Sequence, residues 1–234
     1  MKTQSQIALI ALAIAFTMAL SLVVATVCAS TLGHAPTDTD TSPPTSVPPE
    51  SGKPADTPTQ TAGGLRFASN GDGTCVLVGL GSCTDACVVI PEYAPTGDRV
   101  TEIGAMAFYG CESITAVQIP ASVAKIGELA LAACKNLGYI AVHSANTAYR
   151  DVDGVLYTED ESTLILYPPR RVGSSVTITA STLRIADMAF FDCVNLNLVT
   201  YLGSAEDWDR IRIGVRNHSL TAAAKSFEGG MQTA

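Results

Sequence analysis

The chain has 234 residues, 47% hydrophobic and 15% charged, with a formal net charge of −8 from 14 Lys and Arg against 22 Asp and Glu. That balance, without any cluster of basic residues, excludes a phosphate-reading face for nucleic acid and a basic patch for anionic lipid. After the segments set aside below, the length leaves room for one folded domain.

Lys2 precedes a run from Ile7 to Val27 that carries no charge. Val27-Cys28-Ala29 supplies small or modest residues where a signal peptidase cuts. Residues 1–29 therefore read as a signal peptide or, left uncleaved, as an N-terminal membrane anchor. Both readings export the body of the protein, either secreted or tethered at the outer face of the cell membrane. From residue 30 to residue 64 the composition turns to Thr, Pro, Ser and Asp, with Pro43-Pro44 and Pro48-Pro49. No apolar face exists there to drive collapse, so this stretch is expected to be a disordered linker.

Leu65-Arg66-Phe67 and Thr74 to Val78 flank Asn70-Gly71-Asp72-Gly73, which predicts a β-hairpin. The same four residues resemble part of a calcium loop, but Ala68 stands where an acidic ligand is required and no bidentate Glu follows. Two copies of one pattern come next, each position displaced by 23 residues. The first is Val100-x-x-Ile103-Gly104-x-x-Ala107-Phe108-x-x-Cys111-x-x-Ile114-x-x-Val117-x-Ile119. The second is Val123-x-x-Ile126-Gly127-x-x-Ala130-Leu131-x-x-Cys134-x-x-Leu137-x-x-Ile140-x-Val142. A fixed period in the twenties is the mark of a solenoid, whose stacked turns bury what one turn alone could not.

The i, i+2 apolar pairs suit rungs of a parallel sheet, and the three- and four-residue spacing of Ile103, Ala107, Phe108 and Cys111 suits a short helical or 3₁₀ turn opposite it. Residues 145–174 break the period and read as a hairpin insertion about the polar turn Glu159 to Ser162. The pattern resumes at Val176-x-Ile178, Ile185, Ala189-Phe190, Cys193 and Val199, with Ala186 in the glycine position. The expected core is thus Ile103, Phe108, Cys111, Val117, Ile119, Ile126, Leu131, Cys134, Ile140, Val142, Val176, Ile178, Ile185, Phe190, Cys193 and Val199. Ser204 is a candidate N-cap for a short helix through Trp208 that closes the stack. Residues 224–234 lack pattern and are expected to be a disordered tail.

These linked motifs resemble BspA-type leucine-rich repeats, a family of bacterial and protozoan surface proteins. The segments Asn70-Gly-Asp-Gly-Thr-Cys75, Asp153-Gly-Val-Leu-Tyr157 and Trp208-x-x-Ile-x-Ile-Gly214 are similar to stretches that accompany those repeats. The resemblance implies a leucine-rich-repeat-like solenoid over residues 65–223. Its parallel β-sheet would lie on one side and short helical or 3₁₀ turns on the other, with an N-terminal β-hairpin cap and a C-terminal helical cap. Known members include adhesins that bind host matrix proteins.

No constellation in the chain requires catalysis. Ser82 lacks the Gly-x-Ser-x-Gly setting of a nucleophile elbow, and the spacing of His143 and His218 ties neither to an acid or a nucleophile. No cofactor or metal site is expected. Of seven cysteines, Cys111, Cys134 and Cys193 share one repeat position and are expected as buried free thiols. Cys75–Cys83 is the expected disulfide, with Cys83–Cys87 as the alternative. The outward strand positions Thr115, Gln118, Tyr139, Asn197 and Thr200 form the candidate ligand face. The reading is an extracellular, non-catalytic binding module for cell-surface adhesion, contacting a host or matrix protein or a glycan. The alternative is a structural surface protein that associates with itself.

Overall fold

Alternating apolar residues set the first strands, and the computed structural model, which describes residues 59–60 and 63–228, shows how they pair. The expected leader, most of the expected linker and residues 229–234 lie outside the described residues. β1 (Thr59–Gln60), β2 (Arg66–Ser69) and β3 (Thr74–Gly79) run antiparallel in turn. β1 thus begins inside the stretch read as linker. The β2–β3 turn is the expected hairpin, with Gly71 and Gly73 at φ +79° and +84°. Asp72 Oδ1 accepts from the Thr74 N–H at 3.0 Å and the Thr74 hydroxyl at 2.6 Å, so this carboxylate serves its own turn.

From β3 onward the described residues wind six times. Each winding places one strand on each of two sides. The first is β3 with β4 (Cys87–Val89), the second β5 (Arg99–Ile103) with β6 (Ala116–Ile119), and the third β7 (Lys125–Ile126) with β8 (Tyr139–Val142). The hairpin β9 (Tyr149–Val152) and β10 (Val155–Thr158) intervenes. The fourth winding is β11 (Thr163–Leu166) with β12 (Ser175–Ile178), the fifth β13 (Arg184–Ile185) with β14 (Leu198–Tyr201), and the sixth β15 (Arg212–Ile213) with β16 (Ala224–Phe227).

Successive windings join by parallel pairing, Val88 beside Val117 beside Ile140 in one ladder and Val176 beside Val199 in another. The fold is the expected repeat solenoid. Its face is not one continuous sheet, because β4-β6-β8 and β12-β14-β16 are separate ladders. The opposite side divides at the same place into a sheet ending in β3-β5-β7 and a second one containing β11-β13-β15. There the strands lead into turns closed by i→i+3 bonds, such as Ala107 N to Gly104 O, Tyr109 N to Met106 O and Cys111 N to Phe108 O.

The hairpin about Glu159 to Ser162 is present, since β10 pairs antiparallel with β11. Yet β11 is also a rung of the solenoid, parallel to β13 through Leu164 beside Ile185. The stretch read as an insertion therefore contains a winding of its own. Tyr167 takes the place of Phe108: its N–H donates to Ala189 O as that of Phe108 does to Ala130 O, both at 2.8 Å. Tyr167 stacks on Phe190 with ring centroids 5.2 Å apart.

Alternation puts the repeat side chains inside. Ile103, Phe108, Val117, Ile119, Leu131, Cys134, Ile140, Val176, Ile178, Ile185, Phe190, Cys193 and Val199 are all buried. Three expected core residues, Cys111, Ile126 and Val142, are only partly buried. Ile126 and Val142 end rungs of the third winding where no equivalent strand follows. The core itself splits: Leu156 of β10 joins the first half, while Val155 and Tyr157 of the same strand join the second.

Helix α1 (Ala205–Trp208) starts at Ser204, whose hydroxyl accepts from the Asp207 N–H at 3.1 Å, the expected cap. α2 (His218–Ala222) follows. The expected tail is corrected at its start, because Ala224–Phe227 pairs with β14 as a further parallel rung. Its single apolar anchor, Phe227, meets Trp208 edge-on at 6.3 Å. Among the described residues no helix is long and apolar enough to cross a membrane.

Two stability outcomes follow from inside and outside. Phe108→Ala should cost about 3–5 kcal/mol in urea titration, whereas Thr115→Ala, exposed beside β6, should cost less than about 0.5 kcal/mol. The equivalent positions Gly110, Ala133 and Asp192 have φ of +70°, +60° and +57°. Ala133→Gly should therefore raise stability by roughly 0.5–1 kcal/mol, because a Cβ is penalised in that region; a loss would contradict the backbone described.

Candidate functional site

Parallel register fixes which outward side chains can act together. On the first ladder one row is Cys87, Ala116 and Tyr139, and the next is Val89, Gln118 and Ala141. On the second the rows are Ser175, Leu198 and Ala224, then Thr177, Thr200 and Ser226. The five expected face residues are therefore divided. Gln118 and Tyr139 lie on the first ladder with Thr115 leading into it; Thr200 lies on the second with Asn197 leading into it.

Thr115 and Asn197 hold equivalent places, each donating its backbone N–H to the preceding winding, Thr115 to Ala86 O and Asn197 to Ser174 O, both at 2.7 Å. The Thr115 hydroxyl also donates to Ala86 O at 3.1 Å. Tyr139 lies flat over the β9–β10 tip: a Cβ on Gly154 would stand 2.6 Å from Tyr139 Cδ2. The seam between the ladders is closed by Arg171, whose Nε donates to Asp153 O at 2.8 Å and whose Nη1 donates to Ser175 O at 3.1 Å. Its guanidinium also sits 5.7 Å from the centre of the Tyr167 ring.

Sequence reasoning missed Ser175, Thr177, Ala224 and Ser226 as face residues. The Ser175-x-Thr177 alternation around Val176 was a usable signal; Ala224 and Ser226 follow only from β16. No acid–base pair forms. His143 is exposed and its Nδ1 accepts from the Ala145 N–H at 3.1 Å. Asp160 Oδ1 is ringed by the Thr158 hydroxyl, the Ser162 N–H and the Ser162 hydroxyl at 2.7, 3.0 and 2.8 Å, which lowers its pKa. Among the described residues no three His, Cys, Asp or Glu gather as metal ligands.

The model of a BspA type leucine rich repeat region matches residues 92–151. The chain carries a BspA-type leucine-rich repeat region. It is similar to a leucine-rich repeat protein from Bacteroides capillosus, 22% identical over 72% of this chain and 97% of that one, with a TM-score of 0.37. It is also similar to the T. pallidum leucine-rich repeat protein, at 19% identity over 72% and 86% of the two chains and a TM-score of 0.39. A leucine-rich cell surface protein from Faecalibacterium prausnitzii matches at 18% identity over 68% and 73%, with a TM-score of 0.35. No curated protein matches the chain.

The leucine-rich repeats also decide the cysteine chemistry. Cys75 sits at an inward position near the start of β3, its Sγ donating to Asp98 O at 3.7 Å, while Cys83 lies beyond the far end with its Sγ donating to Asp85 Oδ2 at 3.7 Å. Both are free thiols, so the expected Cys75–Cys83 disulfide and the Cys83–Cys87 alternative are both absent. The reason is extension: Cys75 to Gly79 alone spans roughly 13 Å of strand, well past the roughly 7 Å a disulfide bridges. Cys87 is disulfide-bonded. Cys111, Cys134 and Cys193 are free, as the repeat position implies.

Each buried thiol reaches back one winding, Cys134 Sγ donating to Phe108 O at 3.1 Å and Cys193 Sγ to Tyr167 O at 3.6 Å. Burial pushes both pKa values up to about 12, against an ordinary 9.0. At pH 8 that leaves roughly a thousandfold less thiolate than at an exposed cysteine. Cys134 and Cys193 should therefore stay unmodified by iodoacetamide at pH 8 over a time that labels the urea-unfolded chain completely, as mapped by mass spectrometry. Labelling of either at a free-thiol rate would contradict the packing described.

Proposed function

We propose that the protein is an exported binding module, without catalysis, that contacts a protein or glycan through the outward rows of its two ladders. The observation carrying this reading is the character of those rows. In a chain of net charge −8, none of the twelve outward residues is charged. Parallel backbone bonds hold the Thr177, Thr200 and Ser226 hydroxyls in line, and an aligned uncharged row suits hydrogen bonding to sugar hydroxyls or peptide groups. The leader and the Thr/Pro-rich stretch ahead of the domain support display outside the cell.

The test is binding of the full chain to immobilised matrix proteins and a glycan array, with two paired variants, Gln118→Ala with Tyr139→Ala and Asn197→Ala with Thr200→Ala. At least one pair should weaken binding about tenfold or more at unchanged melting temperature, since an interface hydrogen-bonded group is worth on the order of 1.5 kcal/mol. Affinity should change little between 50 and 500 mM salt, because no charge is involved. Full binding in both pairs would discard the faces; concentration-dependent self-association with no captured ligand would replace the reading by a self-assembling surface protein.

A further inference from the structure

The fourth winding is short on its turn side. Five residues separate Ile103 from Phe108, Ile126 from Leu131 and Ile185 from Phe190, but only three separate Leu164 from Tyr167. The turn that should lie between those of the third and fifth windings is therefore missing. A cleft of about 310 Å³ occupies its place, lined among others by Ile126, Leu129, Leu131, Tyr149, Ile165 and Asp187. The substitution of Ala186 for the repeat glycine fits this gap. A Cβ on Gly127 would run into the backbone of Ala105 in the preceding winding, and one on Gly214 into Ala186 and Asp187. Ala186 meets no such wall and lines the cleft.

The missing rung leaves its hydrogen bonds open. Between the second and third windings, Met106 N donates to Glu128 O and Phe108 N to Ala130 O, at 3.0 and 2.8 Å. The corresponding donors of the third winding are the N–H groups of Leu129 and Leu131, and neither has an acceptor among the described residues. On the facing wall the Asp187 carbonyl, equivalent to that of Glu128, receives no donor either. Two donors two residues apart, opposite an acceptor and across a gap of about two strand spacings, is the vacancy left by one extended backbone.

We propose that this cleft binds a short extended peptide segment of a partner protein, whose carbonyls accept from Leu129 and Leu131 while one of its N–H groups donates to Asp187 O. Ile126 and Ile165 give the floor an apolar side chain to match. This site lies on the turn side and is separate from the ladder faces, so its failure leaves the reading of those faces intact.

The probe is the blocked tripeptide acetyl-Val-Ile-Val-amide, titrated into the full chain at millimolar concentration and followed by amide NMR. In the free protein the Leu129 and Leu131 amides should exchange with deuterium at least a hundredfold faster than that of Phe108. The peptide should shift both amides, and a peptide N-methylated at its central residues should bind at least tenfold more weakly. Ala186→Leu, which fills the cleft from its wall, should weaken binding about tenfold at a melting temperature within a few degrees of the parent. Leu131 protection equal to that of Phe108 in the free chain, no shift at these amides, or equal binding by the N-methylated peptide would each overturn the proposal.

Discussion

The structure depends on main-chain hydrogen bonds passing between windings at a constant residue offset. With 23 residues per turn, Ile126 falls beside Ile103, Ile140 beside Val117 and Val199 beside Val176. Side chains of one type then form columns without any one residue specifying a partner. Each buried branched or aromatic side chain contributes roughly 1.5–3 kcal/mol, but only if the winding on either side is in place. The ends consequently need closure. At one end β1 and β2 extend the first sheet. At the other, Tyr201, Trp208 and Phe227 pack edge to face at 5.4 and 6.3 Å. Lys225 Nζ there donates to the carbonyls of Leu220, Thr221 and Ala223 that α2 leaves open, while sitting 5.9 Å from the Trp208 ring.

The same offset explains why the middle of the molecule is unlike its ends. Between the third and fourth windings 13 extra residues intervene, since Tyr167 lies 36 positions after Leu131 rather than 23. Parallel pairing stops there on both sides. The β9–β10 hairpin fills the break by serving both half-cores with alternate faces of β10, Leu156 to one and Val155 and Tyr157 to the other. Asp151 is the cost of that arrangement. Burial raises its pKa, yet its Oδ1 supplies the acceptor, at 2.8 Å, for the Val142 N–H that a following rung would have taken.

Much of this was legible in the residues. The two exact copies gave the period, Asn70 to Gly73 gave the first turn, and Ser204 with Asp207 gave the cap of α1. The fourth winding was hidden because its turn had lost two residues, which moved Leu164 out of register with Ile103 while keeping Tyr167 in register with Phe108. Two signals could have exposed it. Tyr167 precedes Val176 by nine residues as Phe108 precedes Val117, and Ala186 breaks a glycine position that stacking otherwise enforces. The cysteines misled for a different reason: their clustering in sequence says nothing of the strand stretched between Cys75 and Cys83. β16 was missed because one Phe among Ala, Lys and Ser carries too little apolar pattern to announce a strand.

Where a rung is absent, the chain generally supplies a polar side chain in its stead. Asn217 Oδ1 accepts from the Phe190 N–H at 2.9 Å, where the second winding uses the Ala130 carbonyl, and its amide donates to Ala186 O and Gly214 O. The Tyr149 hydroxyl accepts from the Ile126 N–H at 2.8 Å. Buried Asn146 binds four backbone groups, the carbonyls of Pro120 and Val123 and the N–H groups of Ala148 and Tyr149. A broken ladder leaves donors whose burial without a partner costs about 1–3 kcal/mol each, and these side chains remove that cost one group at a time. Leu129 and Leu131 depart from the pattern. Tyr149 reaches the edge only as far as Ile126, and nothing polar follows it along the cleft wall, so the two leucine amides keep the geometry of a rung while lacking what the rung would have offered.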